Sequence, residues 1–403
     1  MGAVPATASA HGLRLLGHHD LGGRGDGMQI MRQGDALYVG HTGTSGAGTT
    51  VLDVSDPRVP RLVEQWSTPL YTHSHKVQSA DGLLLVNHER FPYRPTAPMG
   101  PHSAGIAIYS IADPFHPRQV GFWHCGGKGV HRIVWEGGRY AHVSATPEGF
   151  RDRIWLSIDL ADPAAPTLAG RWWVPGQHVD EDPYVPPADN SHGDRFRVAA
   201  HHALREGDIA YLGYDDANLV VLDISDMAAP VQIGSLMWGG GATHTAMPLK
   251  GRGLLVVTDE QQIDGPGAPT RGIHLIDISD PTAPRYLRQL PEPDASFQSL
   301  PGRFGSHNLH ENRTGSYRSE RLVFATYFSA GVRVYDLGDP ESPREVAHWV
   351  PEAPDGADVP QLNDLFVDDD GIIWASERHT GGVYALQADD DLAALMEEAR
   401  VRS

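Results

Sequence analysis

Six times along the chain an alternating apolar strand runs into the same turn, Asp-Ile/Val/Leu-Ser-Asp-Pro-x-x-Pro or a close variant of it. It stands as Val51-Leu52-Asp53-Val54-Ser55-Asp56-Pro57 with Pro60, and as Ile108-Tyr109-Ser110-Ile111-Ala112-Asp113-Pro114 with Pro117. Further copies begin at Ser157, Val221, Leu275 and Val334, with Met227 taking the place of the first proline in one of them. A self-similar unit of this kind is one supersecondary element that buries its apolar face only against its neighbours, so the chain is expected to be a repeat architecture. The turn chemistry agrees, because Asp and Ser side chains cap local N–H groups while Pro presets φ and ends a strand's donor ladder.

Between the copies lie further strand pairs, which gives four strands per unit. They are called A to D here, with the Asp-Pro turn joining C to D. A strands are expected to open near Met28, His75, His131, His201, His244, His307 and Asn363, seven in all. Only six C-to-D pairs are complete, since the last C strand, Gly382-Val383-Tyr384-Ala385-Leu386, runs into an acidic tail. Gly12-Leu13-Arg14-Leu15-Leu16-Gly17 reads as the missing D strand, supplied from the other end of the chain. The expectation is therefore an all-β fold, a seven-bladed β-propeller of four-stranded blades forming one domain over residues 1–403, closed by the strand at 12–17 so that no sheet edge stays open. The acid-led segment Asp389 to Arg400 predicts a short C-terminal helix.

Five A strands open on histidine: His75, His131, His201, His244 and His307, out of 22 histidines in the chain. Their flanking residues differ widely while the imidazole stays. If the blades close into a ring, these side chains converge on its axis and are expected to ligate one transition metal ion. Without a metal, imidazoles packed together leave nitrogen lone pairs unsatisfied and repel on protonation. An imidazole-rich donor set suits Fe, Mn or Cu, with Zn or Ni also possible, and disfavours calcium. Register selects His201 over the adjacent His202. The ends of the B strands bring carboxylates to the same face, and Glu89 and Glu377 each lie 14 residues after the first residue of their own A strand. Such acids either accept an N–H from a ligating imidazole or serve as general acid and base, with Asp215 and Glu260 next in order. Lys76, Arg90 and Arg378 near that face are candidates to orient an anionic substrate.

Composition narrows the class. A net charge of −19 opposes nucleic acid and anionic membrane as partners, leaving a small-molecule substrate. Cys125 is the only cysteine, so no intrachain disulfide and no thiolate-rich site is available. The start of the chain lacks a charged segment followed by an apolar run, which predicts a cytoplasmic location.

The Asp-Pro repeats resemble those of the LVIVD-repeat proteins, a propeller family named for its strand motif, and the likeness covers most of the chain. It implies the fold and not an activity. More distantly the chain resembles the selenium-binding protein and methanethiol oxidase group, propellers with histidines and copper. That likeness lies in axial histidines alone and carries no substrate with it. Three functions stay open: a metal-dependent oxidoreductase or oxygenase acting on a small, aromatic or carbonyl-bearing molecule; a metal-dependent lyase or hydrolase with Glu89 or Glu377 moving the proton; and a non-catalytic interaction module.

Overall fold

The computed structural model describes residues 5–43, 46–92, 98–185, 196–239, 241–268 and 271–401. It is an all-β chain with one α-helix, Asp390–Ala399, and one 3-10 turn, Ala295–Ser299, among the described residues. Its contacts divide into two units: Met1–Ser67, Glu260–Ile273 and Gln289–Ser403 form the first, and Thr68–Asp259 with His274–Arg288 the second.

The first unit holds three four-stranded antiparallel sheets. One runs Gly27–Gln33, Ala36–His41, Ala47–Asp53, Arg61–Ser67 in chain order. In another, Leu362–Val367, Ile373–Glu377 and Gly382–Ala388 are completed by Leu13–His19, which pairs with the last of them from Leu13↔Ala388 to His19↔Val383. The strand expected at 12–17 thus takes the D place in the C-terminal sheet. In the third sheet the order is Leu322–Thr326, Val332–Asp336, Arg344–Pro351 and then Thr7–His11, an outer strand that the repeat pattern did not announce. Here the A strand expected to open at His307 does not form a regular strand. An isolated bridge, Leu309↔Ala325, and the backbone bonds His307 N→Thr326 O at 3.0 Å, Thr326 N→Asn308 O at 2.9 Å and His310 N→Phe324 O at 2.9 Å take its place. The helix, capped by Asp389 accepting from Leu392 N at 2.9 Å, buries Leu392 and Met396 against this unit's core beside Tyr317, Leu386 and Ala375.

The second unit holds two four-stranded sheets, His202–Glu206 to Val231–Leu236 and Thr243–Leu249 to Arg285–Gln289, the latter taking its boundary residues Ile273 and Gln289 from the first unit. It also holds a nine-stranded sheet, which is two repeat sheets joined at the single pair Gly129↔Glu89. Inner strands such as Ile154–Asp159 are buried on both faces, whereas fourth strands such as Val231–Leu236 are largely open to solvent. That gradient is what face-to-face stacking of twisted sheets produces, because the outermost strand has a neighbour on one side only.

The repeated turn behaves as its chemistry predicts. The first Asp accepts from the N–H two residues on at Asp53, Asp159, Asp223, Asp277 and Asp336, and the second does so at Asp56, Asp113, Asp162, Asp226, Asp280 and Asp339, all at 2.8–3.0 Å. The turn also docks on a neighbouring sheet. A Cβ at Gly121 would meet Pro163 O at 2.0 Å, one at Gly170 would meet Met227 O at 1.8 Å, and one at Gly17 would meet Pro57 O at 2.1 Å. Only glycine admits so close an approach, and Gly17 shows the N-terminal strand using the same seat as internal D strands. No helix among the described residues is long and apolar enough to cross a membrane.

Candidate metal centre

Four of the five repeat histidines belong to the second unit, and local backbone geometry explains how they are presented. The pairing of Gly129–Val134 with its neighbour shifts register between Val130 and Arg132, so His131 is the extra residue of a β-bulge. The same shift falls between Thr243 and Thr245, around His244. In the first unit it falls between Leu362 and Asp364, around Asn363. A bulge leaves one residue out of the ladder and turns its side chain away from the alternation of the strand. His201 stands just before His202–Glu206 and is tied to it by His201 N→Gly213 O at 2.8 Å.

His75, His131, His201 and His244 are 1, 9, 4 and 1% exposed. Successive rings lie close together, with centroids 4.9 Å apart for His75 and His131, 4.9 Å for His131 and His201, and 3.8 Å for His201 and His244. Of the adjacent pair His201 and His202, it is His201 that enters the cluster. His202 Nδ1 instead lies 3.1 Å from Thr245 Oγ1.

Glu89, 4% exposed, organises the cluster. Its Oε2 accepts from His131 Nδ1 at 2.8 Å and from His73 Nε2 at 2.9 Å. A carboxylate is an acceptor only, so the His131 proton sits on Nδ1 and the lone pair on Nε2. That Nε2 is 3.1 Å from His201 Nε2. Two imidazole nitrogens bound to one ion at about 2.0–2.1 Å, with angles between a right angle and tetrahedral, stand about 2.8–3.4 Å apart. In the metal-free chain a proton on His201 Nε2 bridges the same gap, and a metal ion would replace that proton. His75 Nε2 and His201 Nδ1 are buried without a hydrogen-bond partner. Burial drives the pKa of His75, His131 and His201 well below the usual imidazole value, and the charges of Arg153, Lys76 and neighbouring histidines push the same way. All three are free bases at neutral pH, the form that ligates.

The Nδ1 atoms at the equivalent positions are engaged in turn. His244 Nδ1 is 2.8 Å from Thr245 Oγ1, and His307 Nδ1 donates to Asn363 O at 2.7 Å. His75 Nδ1 faces Asn87 Nδ2 at 3.3 Å, an amide whose orientation is set by Lys76 N→Asn87 Oδ1 and Asn87 Nδ2→Val130 O. Ligation through His75 Nε2 therefore costs this long contact, which makes His75 a weaker donor than His131 or His201.

His73 was not singled out from the sequence. Nitrogens of His73 and His75 and an oxygen of Glu89 lie within 4.8 Å of one another, and the two rings stack with centroids 4.1 Å apart. The signal was the spacing itself, since residues two apart on an extended segment share a face. Cys125 offers no thiolate, because burial lifts its pKa to about 12.

The remaining candidates sit in the first unit. His307 is buried, stacked on Phe328 at 4.7 Å, with Nε2 3.6 Å from Glu260 Oε1. Glu377 is fully engaged by backbone: Oε1 accepts from Gln361 N at 2.9 Å, and Oε2 from the N–H groups of His379, Thr380 and Gly381 at 2.8–2.9 Å. It anchors a loop. In the second unit Asp215 Oδ2 binds Arg153 at 3.0 Å and Arg197 at 3.2 Å, and burial raises its pKa to about 6.

Two segments, residues 24–68 and 206–237, match the LVIVD repeat, so the chain carries that repeat. No curated protein matches the chain significantly. Among solved structures, the crystal structure of the computationally designed Ika8 protein is similar in fold, with a TM-score of 0.52 at 9% identity over 92% of this chain and 98% of that one. At that identity the likeness concerns the fold alone.

Proposed function

We propose that the chain is a seven-bladed β-propeller enzyme whose repeat histidines hold one transition metal ion, and that it carries out oxidoreductase or oxygenase chemistry on a small molecule in the cytoplasm. What supports the metal is one observation above others: His131 Nε2 and His201 Nε2 stand 3.1 Å apart while Glu89 holds the His131 proton on the opposite nitrogen. This is the ligand geometry of a carboxylate–histidine–metal relay, in which the acid fixes the tautomer and raises ligand basicity. His244 and His75 complete the set in the second unit, and His307 is the fifth candidate donor by repeat position. Fe, Mn or Cu fits an all-imidazole set best, with Zn or Ni accommodated. A bound ion with open positions would supply oxygen activation, while the burial of the surrounding side chains keeps competing water away. The seven-bladed reading is supported by the number of repeat sheets and by the pairing of Leu13–His19 with the last of them.

One observation favours acid–base chemistry as a second reading. Asp215 is a buried carboxyl, ion-paired with Arg153 and Arg197, whose pKa burial raises to about 6, so it would exchange a proton near neutrality. Metal loading of His131→Ala and His244→Ala tests the centre itself. Both variants should fold and lose bound metal. Full occupancy in both rules the assignment out, and loss in one alone narrows the ligand set.

A further inference from the structure

The second unit, which carries four of these histidines, also buries three cationic side chains, Arg153, Lys76 and Arg132, and Arg153 stands out among them. Arg153 is 4% exposed, and its main chain is tied to the His201 segment, because Ala200 N donates to Arg153 O at 2.9 Å. Gln177 Nε2 donates to the same carbonyl at 2.9 Å, so the backbone at Arg153 is held from two directions. Its guanidinium binds Asp215 Oδ2 at 3.0 Å, while its Nε is buried with no hydrogen-bond partner.

Asp215 does not fully neutralise it. The same Oδ2 also takes Arg197 at 3.2 Å, so one carboxylate oxygen serves two guanidinium groups, and the other oxygen is buried without a partner. Arg197 has a carboxylate of its own, holding Asp152 through Nε at 2.7 Å and through Nη2 at 2.9 Å. Asp215 is held in the left-handed region at φ 32°, a conformation that non-glycine residues adopt at a cost. Such strain persists where surrounding structure fixes it, and here Thr243 N→Asp215 O at 3.0 Å ties the residue to the strand that carries His244. Lys76 and Arg132 are likewise buried, at 2 and 1% exposure, on the segments that carry His75 and His131. A divalent ion near these groups meets repulsion in a medium of low dielectric, which an anionic ligand entering with it would offset. Glu89 supplies one negative charge.

We infer that the substrate enters this centre as a small carboxylate, its oxygens accepting hydrogen bonds from Arg153 beside the histidine-bound metal. The inference rests on the metal reading proposed above, and it specifies the substrate class of that same site. A carboxylate matches the planar fork of a guanidinium, satisfies an orphaned Nε–H and offsets the added positive charge of the ion in one step. A neutral amide of the same shape can accept the Nε–H through its single oxygen, but it neither fills the fork with two acceptors nor offsets charge.

The test uses the full chain loaded with Co(II), titrated with benzoate and acetate and, for comparison, with the neutral isosteres benzamide and acetamide. Binding is read by calorimetry and by the visible Co(II) spectrum. At least one carboxylate should bind about 10- to 100-fold more tightly than its amide, the difference expected for one charge-assisted hydrogen-bonded pair. Arg153→Gln should abolish that preference while Co(II) content stays at the wild-type level, and Arg153→Lys, which keeps the charge but not the fork, should restore part of it. Equal binding of acid and amide in the wild type overturns the inference without any variant, as does an undiminished preference in a folded Arg153→Gln chain. If the wild type takes up no Co(II), the metal reading fails instead. Titration of the metal-free chain then still reports whether Arg153 selects carboxylates.

Discussion

Replacing Glu89 with glutamine keeps the shape of the side chain and removes its charge. In the wild type a single carboxylate oxygen accepts from His131 Nδ1 at 2.8 Å and from His73 Nε2 at 2.9 Å, in a site 4% exposed. An amide oxygen can take the same two protons, but each bond falls from charge-assisted to neutral strength, a loss of about 1 kcal/mol apiece. Together these make about 2 kcal/mol, or roughly thirtyfold in affinity, because His131 is then a poorer donor and its Nε2 tautomer less firmly held. The assay is competition for Co(II) against a chelator of known affinity, with thermal melting to confirm the fold. An unchanged dissociation constant refutes the orienting role. If turnover nevertheless falls roughly 10²- to 10⁴-fold with metal bound normally, Glu89 is the proton-transfer group instead.

Glu377→Gln provides the contrast. Its carboxylate is engaged by four backbone N–H groups, so the substitution should lower the melting temperature through a loss of about 1–3 kcal/mol and leave metal content unchanged, which melting curves and elemental analysis on the same sample check. Deleting residues 1–19 removes the partner of Gly382–Ala388 and the Gly17 seat for the Pro57 turn, and should lower the melting temperature far more than deleting residues 1–11, which strips only the exposed strand Thr7–His11. Equal melting of the two truncations counts against the closing role of Leu13–His19. Acid should destabilise the metal-free chain in a defined window. Burial lowers the pKa of His88 and of His310 to about 4, so the unfolded state binds more protons between pH 6.5 and 4. Stability is full above pH 6.5 and falls as pH drops towards 4, by roughly 3 kcal/mol per histidine. Urea midpoints that stay flat from pH 7 to 4 contradict this.

The repeat was legible because its turn is written in residue types with narrow uses. Asp and Pro at fixed offsets mark a capped turn, and each of the six copies forms one. The outer strand of the C-terminal sheet was legible by subtraction, since one C strand lacked its partner and Leu13 to Gly17 had the right alternation. Thr7–His11 was not, because its largely exposed residues carry no apolar period to read. The A strand expected at His307 is not a regular strand, although its residues are buried. The histidine position repeats there, and His307 N→Thr326 O, Thr326 N→Asn308 O and His310 N→Phe324 O run the segment beside Leu322–Thr326, but with Leu309↔Ala325 as an isolated bridge the pairing is too irregular for a strand. Of the repeat's five histidines the structure brings His75, His131, His201 and His244 together in one cluster, with His307 in the other unit, and the 14-residue spacing named Glu89, which meets His131. The same spacing named Glu377, which is consumed by backbone N–H groups that no sequence pattern exposes. The bulges that present His131 and His244, and the stacking of His73 on His75, arise from register and are visible only once the strands are paired.

The most direct test of the account is elemental analysis of the full chain produced without an affinity tag, after extensive dialysis, with His131→Ala carried in parallel. The wild type should retain one transition metal ion per chain, and the variant should retain much less. A wild-type chain that holds no metal, and takes up none when Fe(II), Mn(II) and Cu(II) are offered, would contradict the central claim that these imidazoles form a metal centre.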